Sequence, residues 1–246
     1  MNQQGQVYAL LLDFSKAFDK VSRTKLLHKL SQYGINGKTY KWISGFLQNR
    51  TQFVSINGTH SNPISVTSGV PQGSVLGPTL FLLYIKDITE IPKSELRLFA
   101  DDTVLYRAIK SQHDQEILQE DLHNLTKWAF DWQMDFNVSK CHLLRTTNKR
   151  KPHKFTYSAN SEALKKVSQC DYLGVRCSET LRWGVHCSKV AAKANKTLGL
   201  IRRTLKPCSR EVKQSAYMML VRPTLEYASS SWNPHTDTDI NRLEQV

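Results

Sequence analysis

Three aspartates sit in settings that disfavour an unpartnered carboxylate. Asp13 closes the apolar run Val7–Leu12, and Asp101-Asp102 lies between two further apolar runs, Leu96–Ala100 and Thr103–Ala108. An ionised carboxylate withdrawn from water without a partner costs several kcal/mol. No basic residue adjoins Asp101 or Asp102 in sequence, so the compensating charge is Arg97, a distant lysine folded back, or a divalent cation. Hard oxygen ligands of this kind suit Mg²⁺, which takes one or two carboxylates together with substrate phosphates. Each motif alone also has an ordinary reading: Asp favours hairpin turns, and an acid at a strand end can cap the turn that follows. Together they predict more. If the Asp13 strand lies beside the Asp101-Asp102 hairpin, the carboxylates converge at one end of a sheet. That is the arrangement of a phosphoryl-transfer site with two metal ions about 3.5–4 Å apart.

The elements that would position these acids can be read from periodicity. Val7–Leu12 is continuously apolar and predicts a strand buried on both faces. Ser22 as N-cap, apolar Leu26, Leu27, Leu30 and Tyr33, and Gly34 as a stop predict one helix; Lys38–Gln48 predicts the next. Gln52–Ile56, the Asn57-Gly58 pair and a second β-like run to Val66 predict a hairpin. A stretch punctuated by Gly69, Pro71, Gly73, Gly77 and Pro78 leads into a buried helix carrying Leu80, Phe81, Leu83 and Tyr84. Ser111 and Asp114 form a capping-box pattern before a helix with Leu118, Leu122, Leu125, Ala129 and Trp132 on one face. Short β-like pieces follow at Cys141–Arg145, Phe155–Tyr157 and Tyr172–Arg176, and two helices close the chain. No βαβ unit repeats, so the order predicts an α+β layer with an antiparallel sheet.

Charge divides the chain unevenly. Its 246 residues hold 34 Lys+Arg against 21 Asp+Glu, a net charge of +13. Residues 1–139 are nearly neutral at +1, and residues 140–246 carry +12. A basic region of this strength implies a polyanionic partner, with nucleic acid ahead of an anionic membrane surface. Apolar runs of six residues at most are far short of the ~20 that span a bilayer, and no membrane partner is expected. The N-terminal residues show no secretion signal, and five cysteines without a CxxC pair read as reduced thiols. The expected location is intracellular, in the nucleus or cytoplasm, and not secreted.

The motifs carry a family resemblance. LLLDFSKAFDKV (Leu10–Val21), SGVPQGSVLGPTLF (Ser68–Phe81) and FADDT (Phe99–Thr103) resemble motifs A, B and C of reverse transcriptases. The wording is similar to that of non-LTR, LINE-type retrotransposons of the jockey-like group, more than to intron-encoded or telomerase-like lineages. NVSKCHLL (Asn137–Leu144) matches motif D, DYLGV (Asp171–Val175) the primer-grip motif, and VRPTLEYASSSW (Val221–Trp232) the family's thumb segment. The resemblance implies a right-hand polymerase palm over residues 1–178 and a thumb-like, basic, mainly helical region over 179–246. It also implies an N-terminally truncated chain, since motif A starts at residue 10 where the family places a fingers region before it.

By this resemblance Asp13, Asp101 and Asp102 are the catalytic residues and, with the Phe14 carbonyl, bind two Mg²⁺ ions, or Mn²⁺ in their place. Phe18 falls on the steric-gate position that selects dNTP over rNTP by clash with a 2′-hydroxyl. Gln72 and Gly73 lie beside the nucleotide, and Lys140 near the departing pyrophosphate. Tyr172, Leu173 and Gly174 shape the primer grip. In Val185–Lys206, Val190, Ala194, Leu198, Ile201 and Leu205 form one helical face. Lys189, Lys193, Lys196 and Arg203 form a cationic face beside it, suited to the backbone of an RNA template paired with a DNA primer. The expected activity is RNA-directed DNA polymerisation. The rival is a non-catalytic nucleic-acid-binding relic built on a polymerase palm.

Overall fold

A computed structural model describes residues 5–246, which form two compact units meeting in sequence at Lys166 and Val167. The first is built on an antiparallel sheet in the order Lys165–Val167, His142–Thr147, Gln6–Leu12, Asp102–Ala108, Glu95–Phe99. Gln6–Leu12 is central and pairs antiparallel with Asp102–Ala108 on one side and His142–Thr147 on the other. Its burial alternates: Tyr8, Leu10 and Leu12 are buried, while Val7, Ala9 and Leu11 are only half-buried. The expectation of a strand buried on both faces is therefore corrected. The run is apolar throughout, but helices cover one face alone, and Asp13 continues the open one.

The covered face meets the helix Gln112–Asp131, whose Leu118, Leu122 and Leu125 are fully buried, and the helix Leu76–Ile85 with Leu80, Phe81 and Tyr84. The Ser111/Asp114 capping box forms as expected, with both reciprocal hydrogen bonds present. Helices Arg23–Gln32 and Gly37–Leu47 complete this core. Between them and the sheet-covering helices Lys29 is 2% exposed: its ammonium donates to the Tyr84 carbonyl and to Asp87, and lies 3.4 Å from the centre of the Trp132 ring. The predicted hairpin is two nested short ladders, Thr51–Gln52 with Ile64–Ser65 and Ser55–Ile56 with Thr59–His60, closed by Asn57-Gly58. Phe155–Tyr157 is not a strand, contrary to expectation. Tyr157 is buried against the Tyr8 ring, and the pairing begins one residue later, between Ser158–Ala159 and Glu162–Ala163.

The second unit, Val167–Val246, opens with a hairpin of Gln169–Tyr172 and Val175–Ser178. The single β piece expected over Tyr172–Arg176 is thus the hairpin's end, turning at Leu173 (φ 46°) and Gly174 (φ 81°). This hairpin packs with the helix Gly184–Thr204, the Arg176 amide donating to His186 Nδ1. The two compact units meet in sequence before this hairpin, at 166/167. Of the two closing helices expected, the first is Gly184–Thr204, and the second is instead a broken series: Arg210–Ala216, a π-helical turn at Tyr217–Val221, Arg222–Glu226, Ser229–Trp232 and Asp237–Glu244. Pro223, which lacks an N–H, and Ala228, at φ 54°, interrupt the helical hydrogen bonding.

Candidate active site

Sheet register brings the predicted acids together. Leu12 pairs with Thr103, so one further step sets Asp13 opposite Asp102 across the two central strands. Both continue the open face, because Thr103 and Leu105 occupy the covered one. Asp101 lies in the two-residue turn closed by the Phe99–Asp102 pair, where Ala100 adopts φ 51°. The Asp102 residue is exposed, yet partial desolvation of its carboxyl, and then the charges of Asp101 and Asp13, raise its pKa above the ordinary carboxylate value. Three like charges thus crowd one end of the sheet. Arg97 does not relieve them, since it pairs with Glu95 at 3.1 Å.

Past Asp13 the chain is tied to the segment that carries motif D. The Asn137 amide donates to the Asp13 carbonyl at 2.8 Å, the Ser15 amide to the Asp135 carbonyl at 2.8 Å, and the Phe14 and Phe136 rings stack at 4.4 Å. The Asp13 amide donates to Cys141 Sγ at 3.5 Å. Burial raises the pKa of that thiol, which keeps it neutral beside the acid. This clamp delivers Lys140, whose ammonium lies 3.9 Å from Asp13 Oδ1 with both groups open to solvent. A lysine thus folds back toward Asp13, not toward Asp101 or Asp102 as anticipated, at a distance and exposure that make the pair weak.

Motif B is fastened to the last part of motif A, around the short helix Ala17–Lys20. The Gly69 amide donates to the Val21 carbonyl at 2.8 Å, the Val70 amide to the Phe18 carbonyl at 2.9 Å, and Ser68 Oγ to the Asp19 carbonyl at 2.8 Å. Gly69 is at φ 82°, and a Cβ there would come within 2.9 Å of the Asp19 backbone, so no other residue permits this approach. Phe18 is half-buried and stacks on Phe81 at 4.5 Å. Gln72 Nε2 donates to Asp19 Oδ1 at 3.0 Å, which fixes the orientation of its side chain. Gly73 follows at φ 76°. Sequence reasoning missed Arg23, whose guanidinium donates to the Val66, Ser68 and Gly69 carbonyls. Its partners are backbone groups, for which residue type leaves no signal. With Lys16, Asp19, Arg50 and Gln72, Arg23 lines a cleft of about 700 Å³.

The second unit holds the remaining predicted residues. Tyr172, Leu173 and Gly174 form the hairpin end described above. On the helix Gly184–Thr204, Val190, Ala194 and Ile201 are buried, while Lys193, Lys196 and Arg203 are exposed. Lys189 is the exception on the cationic face. Its ammonium pairs with Asp171 at 2.7 Å, and Asp171 is also held by a bidentate Arg176. The Arg176 hydrogen bonds chiefly, and then Lys189, lower the Asp171 pKa.

Among the described residues, no three carboxylate, imidazole or thiolate side chains converge closely enough to hold a metal ion as they stand. The donor chemistry at Asp13, Asp101 and Asp102 nevertheless fits a hard divalent cation, which would relieve the repulsion felt by Asp102. All five cysteines are free thiols, and among the described residues no helix is long and apolar enough to cross a membrane.

An α+β unit with paired acids at one end of an antiparallel sheet, followed by a basic helical unit, defines a polymerase-like protein. The chain belongs to the reverse transcriptase (RNA-dependent DNA polymerase) family, which matches residues 1–177. It is similar to the probable RNA-directed DNA polymerase from transposon X-element of Drosophila melanogaster, 28% identical over 97% of this chain and 27% of that protein. It is likewise similar to the RNA-directed DNA polymerase from mobile element jockey of the same species, 26% identical over 99% of this chain and 28% of that protein. These relatives match the expected jockey-like, non-LTR resemblance. The chain spans about a quarter of their length. Among solved structures, telomerase from Candida tropicalis in complex with a TWJ fragment of telomeric RNA aligns with a TM-score of 0.52, at 11% identity, over 94% of this chain and 40% of that one. Apo telomerase from the same organism gives 0.51 at 9% identity, over 98% of this chain and 46% of that one. At such identity they establish the fold alone.

Proposed function

We propose that the chain is the palm and thumb portion of an RNA-directed DNA polymerase from a non-LTR mobile element, acting inside the cell on an RNA template and DNA primer. The observation that carries this reading is the register that faces Asp13 with Asp102, next to Asp101, on the open face of the sheet. Asp13, Asp101, Asp102 and the Phe14 carbonyl hold two Mg²⁺ ions, or Mn²⁺ in their place. When bound, such ions lower the pKa of a primer 3′-hydroxyl and stabilise charge on the phosphates. The protein's own contribution is alignment. Phe18, braced by Phe81, excludes a 2′-hydroxyl. Gln72 and Gly73 flank the incoming dNTP, and Lys140 places a cation beside the acids for the leaving pyrophosphate. Tyr172, Leu173 and Gly174 steady the primer. Lys193, Lys196 and Arg203 contact the backbone of the hybrid, and Lys189 joins them where it is released from Asp171.

Template-dependent primer extension by the purified chain, abolished by Asp101→Asn, tests the reading. The second reading is a non-catalytic nucleic-acid binder built on the same palm, for which the net charge of +12 over residues 140–246 suffices. Filter binding to a primer–template duplex separates the two. Tighter binding with Mg²⁺ and the complementary dNTP supports the polymerase, and indifference to both supports the binder.

A further inference from the structure

Within the second unit, side chains of Val221–Trp232 return to the Gln169–Ser178 hairpin and close a circuit of contacts. The Tyr227 hydroxyl donates to the Leu173 carbonyl at 3.0 Å. The Tyr227 ring lies over Gly174, where an added Cβ would come within 3.1 Å of it. The Tyr227 carbonyl accepts from Trp232 Nε1 at 2.7 Å. Trp232 is buried, and its ring meets His186 edge-on with 4.6 Å between centroids. His186 Nδ1 accepts from the Arg176 amide at 3.0 Å, which returns the path to the same hairpin. Because Nδ1 accepts, the imidazole proton sits on Nε2, which is buried without a hydrogen-bond partner among the described residues. Burial, and then the nearby Lys189, hold the His186 pKa below its ordinary value, so this link stays neutral.

The hairpin needs such support. Its strands are four residues each, and its end places a leucine at φ 46° beside a glycine at φ 81°. A leucine disfavours the left-handed region, and an isolated two-stranded hairpin is marginal in water. The circuit grips both the turn, at Leu173, and the returning strand, at Arg176.

We propose that Tyr227 is a positioning residue for the primer strand, fixing the Leu173–Gly174 turn from behind through its hydroxyl and ring. This rests on the reading of Tyr172–Gly174 as the primer-holding turn. Tyr227 acts indirectly, through the turn. Its loss shifts where the primer end sits and leaves the grip on the duplex intact.

The test is Tyr227→Phe in the full chain, which keeps the ring over Gly174 and removes the one hydroxyl bond, with Tyr33→Phe in the first unit as control. Hydrogen exchange of the peptide covering Asp171–Arg176 should be about tenfold faster in Tyr227→Phe and unchanged in the control. Duplex affinity should stay within about twofold, while kcat for primer extension falls about fivefold to tenfold with little change in primer KM. Unchanged exchange overturns the latch. Faster exchange with unchanged kcat overturns the positioning role. A wild-type chain that extends no primer refutes the polymerase reading and the primer role with it, while exchange still decides the latch.

Discussion

Asp102 shows how residues at such a site work against the fold that carries them. Its pKa in the folded chain is raised, by partial desolvation and then by Asp101 and Asp13. A carboxyl whose folded pKa lies above its unfolded value is a net destabilisation at neutral pH, relieved as pH falls through the folded pKa. Solvent screening at this exposed position keeps the effect small. Asp102→Asn should therefore raise the metal-free Tm by roughly 1–2 °C at pH 7. The gain should vanish near pH 3, while primer extension drops on the order of a hundredfold. A Tm that falls at pH 7 would show that the charges are already compensated. Lys29 is the opposite case, a charge whose surroundings are built for it. Burial lowers its pKa while Asp87 raises it, and the rings of Tyr84, Trp128 and Trp132 surround the ammonium. Lys29→Ala takes the ammonium from the Tyr84 carbonyl and from Asp87, which keeps only the Trp128 Nε1 bond, and opens a cavity. It should cost about 3 kcal/mol in urea unfolding.

At the scale of elements, the helix Gln112–Asp131 supports the sheet from the covered side, and its start is set by Asp114. That carboxylate accepts from the Lys110 and Ser111 amides, the Ser111 hydroxyl and Arg107. These bonds, led by the Lys110 amide, depress its pKa to about 2. A depressed carboxyl contributes stability above its unfolded pKa and loses it as pH falls through the folded one. Asp114→Ala should destabilise by about 1–2 kcal/mol at pH 7. The difference from wild type should close between about pH 4 and pH 2, followed by urea titration at each pH. This element was legible in sequence because Ser111, Asp114 and the Leu118–Leu122–Leu125 stripe are local signals of type and spacing. The acids were legible for a similar reason, each marking the end or interruption of an apolar run. What local signals do not encode is which side of a strand lies open. Val7, Ala9 and Leu11 are as apolar as Tyr8, Leu10 and Leu12, and only the placement of the helices separates them. Arg23 and Tyr227 were missed as partners because each bonds backbone carbonyls distant in sequence. The closing helices were misjudged because one π turn and one left-handed alanine break a pattern that is helical in composition.

At the scale of the whole molecule, the charge excess lies late in the chain, +1 over residues 1–139 and +12 over 140–246, and both units share it, at +8 over 1–166 and +5 over 167–246. On the proposed reading, cations of both units supply the attraction to phosphates that three crowded carboxylates cannot. Such attraction acts by releasing counterions from the nucleic acid, so each lysine or arginine that meets a phosphate adds about 0.9 to the slope of log affinity against log salt. Lys193, Lys196 and Arg203 are exposed on one helix. Lys189 is paired with Asp171 and releases less. Replacing Lys193, Lys196 and Arg203 together by alanine should flatten the salt slope for an RNA–DNA hybrid by about 2–3, uniformly across sequences. Lys189→Ala alone should change it by less than about half a unit, because its charge is already met. Equal effects of Lys189 and Lys193, measured by fluorescence anisotropy over a salt series, would mean that the hybrid breaks the Asp171 pair on binding. The helix would then act as a four-cation grip gated by the same hairpin that ends in Leu173 and Gly174.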